Sequence, residues 1–258
     1  MFLFRQLNRI RWILRNYRFL NKDTRLLSKH FLGSITYDTD SLCTSNNCDF
    51  IKDEKFARAY KTALDTNPWD GFTLQWRTYI VCWFANHVKA LEGDFIECGV
   101  NTGAYSRAVI EYIDFDKYDK TFYLFDTFNG LAEELVTERE MEVGINDYFG
   151  TYKDVYTQVV KTFKYFNVKI IRGVVPNTLN ECNAKKIAYL SIDMNCVLPE
   201  IAAADYFWPK IVSGGVIILD DYGFSKHINQ KVAFDQFAKN KGVQILSLPT
   251  GQGIIIKP

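Results

Sequence analysis

From Asp94 to its C-terminus the chain repeats one pattern, a short apolar run followed by a helical stretch. The runs are Phe95-Ile96-Glu97, Thr121–Phe125, Val168–Ile171, Ile187–Ile192, Val216–Leu219, Val243–Leu246 and Gly253–Ile256. Each has strand length, and their near-continuous apolar character suits strands covered on both faces. Strands separated by helical segments connect by crossovers, which predicts an α/β fold with a mainly parallel sheet and helices on both sides. Only Ser247–Gln252 separates the last two runs, so these are expected to pair as an antiparallel hairpin.

The 258 residues suit one sizeable domain, here 73–258, preceded by a helical and loop-rich extension, 1–72. Within the extension, Leu3, Leu7, Ile10, Leu14 and Tyr17 form one helical stripe, interleaved with Arg5, Arg9, Arg11, Arg15 and Arg18. The arginines rule out a membrane span; the segment reads as a basic amphipathic helix. It would dock on its own domain, pair with a second subunit in a homo-oligomer, or make peripheral membrane contact. Residues 21–50 read as a connector with turn clusters around Asp38–Ser41 and Thr44–Asp49. A net charge of +1 gives no reason to expect nucleic acid. The six cysteines form neither a C-x-x-C pair nor a zinc spacing, and a cytoplasmic setting is the simplest expectation. Cys82 and Cys98 read as buried small hydrophobes.

In sheets of this kind, ligands bind beyond the carboxyl ends of the strands. The first such end carries Glu97-Cys98-Gly99-Val100-Asn101-Thr102-Gly103, opening onto a helix from Ala104. This E-x-G-x-x-x-G spacing differs from the dinucleotide fingerprint, and no phosphate-gripping Gly-Lys-Ser/Thr follows. It is the pattern expected where S-adenosylmethionine sits over the first strand–helix turn, although an ordinary tight turn has the same composition. Acidic residues close the other strands: Asp126 the second, Asp193 the fourth, Asp220-Asp221 the fifth. Asp126 is set to accept from ribose hydroxyls or to cap the segment after it.

Five carboxylates on one edge raise one another's pKa and destabilise the fold unless a cation sits among them. Asp193, Asp220 and Asp221 suit a hard divalent ion such as Mg2+, with Asn195 as a neutral oxygen donor. Read singly, Asp193 is equally a helix cap and Asp220-Asp221 a solvated turn. A sulfonium methyl donor needs a nucleophile in line and a group to take the acceptor's proton. Asp193 is the first candidate for that proton and His227 the second, His227 otherwise reading as exposed.

Taken in order, these motifs resemble the macrocin O-methyltransferase (TylF-like) family, class I enzymes that methylate sugar hydroxyls. The resemblance runs from about Leu74 to Lys257. It is carried by Gly93–Val100, Phe125-Asp-Thr-Phe-Asn-Gly-Leu131, Ile187–Asp193, Gly214–Gly223 and Val232–Phe237. It implies a Rossmann-like seven-stranded fold and Mg2+-assisted transfer from S-adenosylmethionine to a sugar or glycan hydroxyl. It also implies a cofactor site at Glu97, Gly99, Gly103, Asp126 and Gly173, with a metal at Asp193, Asp220 and Asp221; Asn101 and Thr102, in the same turn, are added to the cofactor site. Two motifs depart from the family. Asp193-Met194-Asn195-Cys196 replaces an Asp-Leu-Tyr-Glu-like run, and Asn101-Thr102-Gly103-Ala104 replaces Trp-Arg-Gly-Gly. Both departures bear on the acceptor, which is a sugar-containing molecule, a catechol-like molecule or, for a non-catalytic scaffold, none. Leu131–Lys161 is the expected lid.

Overall fold

The computed structural model describes residues 35–68, 73–145 and 154–258. The chain divides into two compact units, 1–51 with 69–74, and 52–68 with 75–258. The basic segment 1–20 lies outside the described residues, so the expectations for it stay open. In the smaller unit, β1 (Tyr37–Thr39) and β2 (Leu42–Thr44) pair antiparallel. Asp40 and Ser41 join them with φ of 54° and 61°. Two successive left-handed residues match the twist of a two-residue hairpin, so part of the expected connector is a strand pair.

The larger unit begins with α1 (Glu54–Leu64), whose first turn is capped by Asp53 accepting from Phe56 N at 2.9 Å, and α2 (Gln75–Val88). Then come β3 (Asp94–Cys98), α3 (Ala104–Ile113), β4 (Phe122–Asp126), α4 (Glu138–Glu142) and α5 (Tyr156–Phe163). The chain continues through β5 (Val168–Arg172), β6 (Ile187–Ile192), α6 (Val197–Phe207) and β7 (Ile211–Leu219). It ends with α7 (Ile228–Lys241), β8 (Leu246–Ser247) and β9 (Gly253–Ile256).

The seven strands form one sheet in the order β5-β4-β3-β6-β7-β9-β8. The first five are mutually parallel, while β9 runs antiparallel to both β7 and β8. The Rossmann-like expectation holds. Successive strands step outward from β3 to β5 and the chain then returns to β6 on the other side of β3. That reversal makes the β3–β6 gap the switch point where such sheets bind ligands.

Every residue of β6 is buried, as a central strand covered on both faces requires. The abundant aromatics supply much of this cover. Phe95 stacks on Tyr189 with centroids 5.0 Å apart and meets Phe115 and Phe122 edge-on. Across the sheet, Ile96, Leu190, Ile217, Phe207 and Phe234 share a second core.

Two strand boundaries differ from the sequence reading. β7 starts at Ile211, ahead of the expected Val216. β8 keeps only Leu246–Ser247, because Val243 N turns back to Ala238 O at 3.0 Å and closes the end of α7. Gly242, at φ 67°, makes that helix stop possible, and the helix wins the residue from the strand.

Gly99 is the tightest point of the sheet. Its φ is 87°, and a Cβ there would lie 1.8 Å from the Asp193 carbonyl oxygen. Gly242 has a comparable φ of 67° with nothing within 4 Å of such a Cβ. In urea denaturation, Gly242→Ala should cost about 1 kcal/mol, the strain of a left-handed alanine. Gly99→Ala should cost at least about 3 kcal/mol or abolish the cooperative transition, because backbone blocks the added carbon. Equal losses for the two variants would show that the close approach is not a constraint.

Candidate active site

The parallel ladder continues one step past each strand and so aligns the residues that follow. Gly99 N donates to Phe125 O at 2.8 Å, Gly173 N to Asp126 O at 2.9 Å, and Asp193 N to Cys98 O at 2.8 Å. Asp220 N completes the row, donating to Ile192 O at 3.0 Å. Gly99, Gly173, Asp193 and Asp220 therefore share one edge, as the strand-end argument requires.

Asp126 organises the turn after β3. Its Oδ2 accepts from Val100 N at 2.5 Å and Asn101 N at 2.8 Å, and its Oδ1 accepts from Phe128 N at 2.6 Å. Burial pushes its carboxyl pKa up, and the amide bonds oppose that shift. Asn101 takes a left-handed φ of 50° to bring its amide round. The next two residues face inward. Thr102 is buried, its hydroxyl 2.9 Å from that of Thr66, and a Cβ on Gly103 would meet the Phe163 ring at 2.5 Å. Gly173 makes a similar approach to the Thr178 side chain. Beside it, a cavity of about 770 Å³ is lined by Thr127, Asn129, Leu131, Arg172 and Val174 among others.

Glu97 lies inside β3 with its side chain buried, accepting from the Ser106 hydroxyl in the first turn of α3. Burial raises its pKa from 4.5 to about 8; the Ser106 bond opposes this, and the Asp126 and Asp220 charges add to it.

The expected acidic group does assemble, but around a side chain. Arg77 of α2 donates from Nη1 to Asp220 Oδ2 at 2.5 Å and stands 3.9 Å from Asp221 Oδ1. Its guanidinium also lies over the Phe224 ring, 5.2 Å from the centroid. Gln252 Nε2 donates to the other oxygen of Asp220 at 3.0 Å, while the Thr250 hydroxyl donates to Gln252 Oε1 at 3.0 Å. Asp193 is held well above the usual carboxylate range by burial, then by Asp220 and Asp221, with Arg77 opposing. The Asn195 side chain presents its nitrogen to Asp193 at 3.2 Å, not an oxygen to a cation.

The three-carboxylate cation site is not met in this arrangement. Among the described residues, no three His, Cys, Asp or Glu side chains form a group able to hold a metal ion. Each oxygen of Asp220 accepts a bond, one from Arg77 and one from Gln252. His227 also departs from its expectation as an exposed residue. It is buried, with Nδ1 2.9 Å from Gln230 Nε2 and 3.6 Å from Asp221 Oδ2. All six cysteines are free, and Cys82 and Cys98 are buried as expected.

The sequence reading missed four residues that shape this edge. Arg77 is the one Lys or Arg of α2, the signal by which it could have been found. Gln252, inside a Thr-Gly-Gln-Gly turn, gave no signal. Glu200 accepts from Met194 N at 3.1 Å and fixes the loop after β6. Glu140 forms a capping box with Thr137 and also accepts from Val197 N at 2.8 Å, so it ties the expected lid to the start of α6.

A family model for macrocin O-methyltransferase (TylF) matches residues 79–246. The chain belongs to this family. It is accordingly an O-methyltransferase that uses S-adenosylmethionine. The O-methyltransferase NovP superposes with a TM-score of 0.61 at 18% identity, over 70% of this chain and 79% of that one. The calicheamicin methyltransferase CalS11 gives 0.59 at 15%, over 87% and 98%. A putative caffeoyl-CoA O-methyltransferase from Staphylococcus aureus gives 0.53 at 13%, over 81% and 95%. At these identities the likeness is one of fold. A comparison with curated proteins finds no match. Among the described residues, no helix is long and apolar enough to cross a membrane.

The raised Glu97 pKa fixes a sign. The folded protein holds this proton more tightly than the unfolded chain, so its stabilising effect is full below about 4.5 and is lost as pH rises through about 8. Asp126, Asp193 and Glu200 shift in the same direction. Glu97→Gln should therefore flatten the fall in melting temperature between pH 5 and 8, measured by differential scanning calorimetry. An unchanged slope would mean that Glu97 is not the buried acid responsible.

Proposed function

We propose that this enzyme methylates a hydroxyl of a sugar or glycan, with Asp193 as the general base. The observation that carries the reading is the contact of Gly99 with the Asp193 backbone. It brings the best candidate base against the turn that the resemblance assigns to the cofactor. Bound S-adenosylmethionine would supply an activated methyl group to the acceptor oxygen, its S–CH3 bond breaking to leave S-adenosylhomocysteine.

The chain's own groups divide the remaining work. Asp126 gathers the turn's amides and fixes its shape, while Glu97 and Ser106 fasten β3 to α3. Gly173 and the neighbouring cavity receive the far end of the cofactor. Asp193 takes the acceptor's proton, and its elevated pKa makes it a stronger base than an exposed carboxylate. The sugar acceptor is supported by the family, whose namesake acts on macrocin. At Asp220, Arg77 and Gln252 already stand where the Mg2+ implied by the resemblance would bind.

Purified protein, incubated with methyl-labelled S-adenosylmethionine, should transfer label to members of a sugar and nucleotide-sugar panel. Asp193→Asn should lose about 10²- to 10⁴-fold in kcat/KM, the usual worth of a general base, yet keep cofactor affinity by calorimetry. A base must be ionised to act, so kcat/KM should rise with pH through a midpoint well above the ordinary carboxylate range. Label appearing only on catechols, or an Asp193→Asn variant with full activity, would refute this assignment.

A further inference from the structure

We propose that Arg77 is the positioning cation of this site, and that the Asp220-Asp221 pair works without a bound divalent metal. Three acids at adjoining strand ends repel one another unless positive charge is placed between them. The requirement is met from within the chain. Arg77 lies 2.5 Å from Asp220 and 3.9 Å from Asp221. All three side chains are nearly buried, at 13%, 3% and 10% exposure respectively.

The arrangement is built on every side. Phe224 supports the face of the guanidinium. Gln252, fully buried, is oriented by Thr250 so that its amide hydrogen meets the remaining oxygen of Asp220. A cation approaching Asp220 meets a charge-assisted bond on one oxygen and a buried amide bond on the other. Asn195, the neutral donor that would complete a coordination shell, instead turns its amide nitrogen to Asp193. A guanidinium differs from a metal ion in one further respect. It is always charged and cannot ligate the acceptor oxygen, so it holds the acids in position and leaves proton removal to Asp193.

The test separates metal binding from methyl transfer. Mg2+, then Mn2+, is titrated calorimetrically into the wild-type protein with S-adenosylhomocysteine present, and turnover is compared in EDTA and in Mg2+. The expected result is no stoichiometric binding of either ion and equal turnover within twofold. Arg77→Gln should lose at least tenfold in turnover; Mg2+ should then bind the vacated acids and raise that variant's melting temperature, which it would not do for the wild type. One-to-one Mg2+ binding by the wild type that Asp220→Asn removes would overturn the proposal, as would wild-type turnover abolished by EDTA and restored by Mg2+. If Arg77→Gln does not fold, the wild-type titration alone decides. The inference rests on the methyl-transfer reading only for its turnover arm, so an inactive acceptor panel would leave the binding result to stand.

Discussion

The structure depends on one close approach, where the chain leaving β3 at Gly99 packs directly on the backbone leaving β6 at Asp193. Only a residue without a side chain fits between them, and only at a positive φ. The contact is what a switch point demands, since two parallel strands adjacent in space but remote in sequence must part there in opposite directions. Because the ladder extends one residue past each strand, this contact also sets the heights of Gly173 and Asp220. The candidate site is a consequence of how the sheet closes.

Charge is the second constraint. Glu97, Asp220 and Glu200 are buried and Asp126 and Asp193 half-buried in or beside the sheet, and most resist ionisation. The fold compensates each differently. Backbone amides serve Asp126, a hydroxyl serves Glu97, an amide of the preceding loop serves Glu200, and a guanidinium serves Asp220. Asp193 has the weakest compensation, a long bond from Asn195 and a distant attraction to Arg77. A carboxylate left poorly neutralised beside a cofactor turn is suited to taking a proton, which is why the base is assigned there.

The sheet was legible because its strands are short, apolar and separated by helices, a pattern with few alternative solutions. Its acidic ends were legible for the same reason, since Asp126, Asp193 and Asp220 each follow an apolar run directly. Their partners were not. Arg77 and Gln252 come from an early helix and the last hairpin, 175 residues apart in sequence, and no local pattern announces that they meet at Asp220. Likewise nothing near Asp220 and Asp221 in sequence shows that Arg77 stands beside them. The start of β8 is lost to helix capping at Val243, and the burial of His227 depends on tertiary packing that its local sequence does not show.

The most direct measurement is a crystal structure of the protein with S-adenosylhomocysteine. The ligand is expected over the Gly99–Gly103 turn, its adenosine end toward Gly173 and its sulfur facing the Asp193 carboxylate. Ligand density elsewhere, or a sulfur pointing away from Asp193, would contradict it.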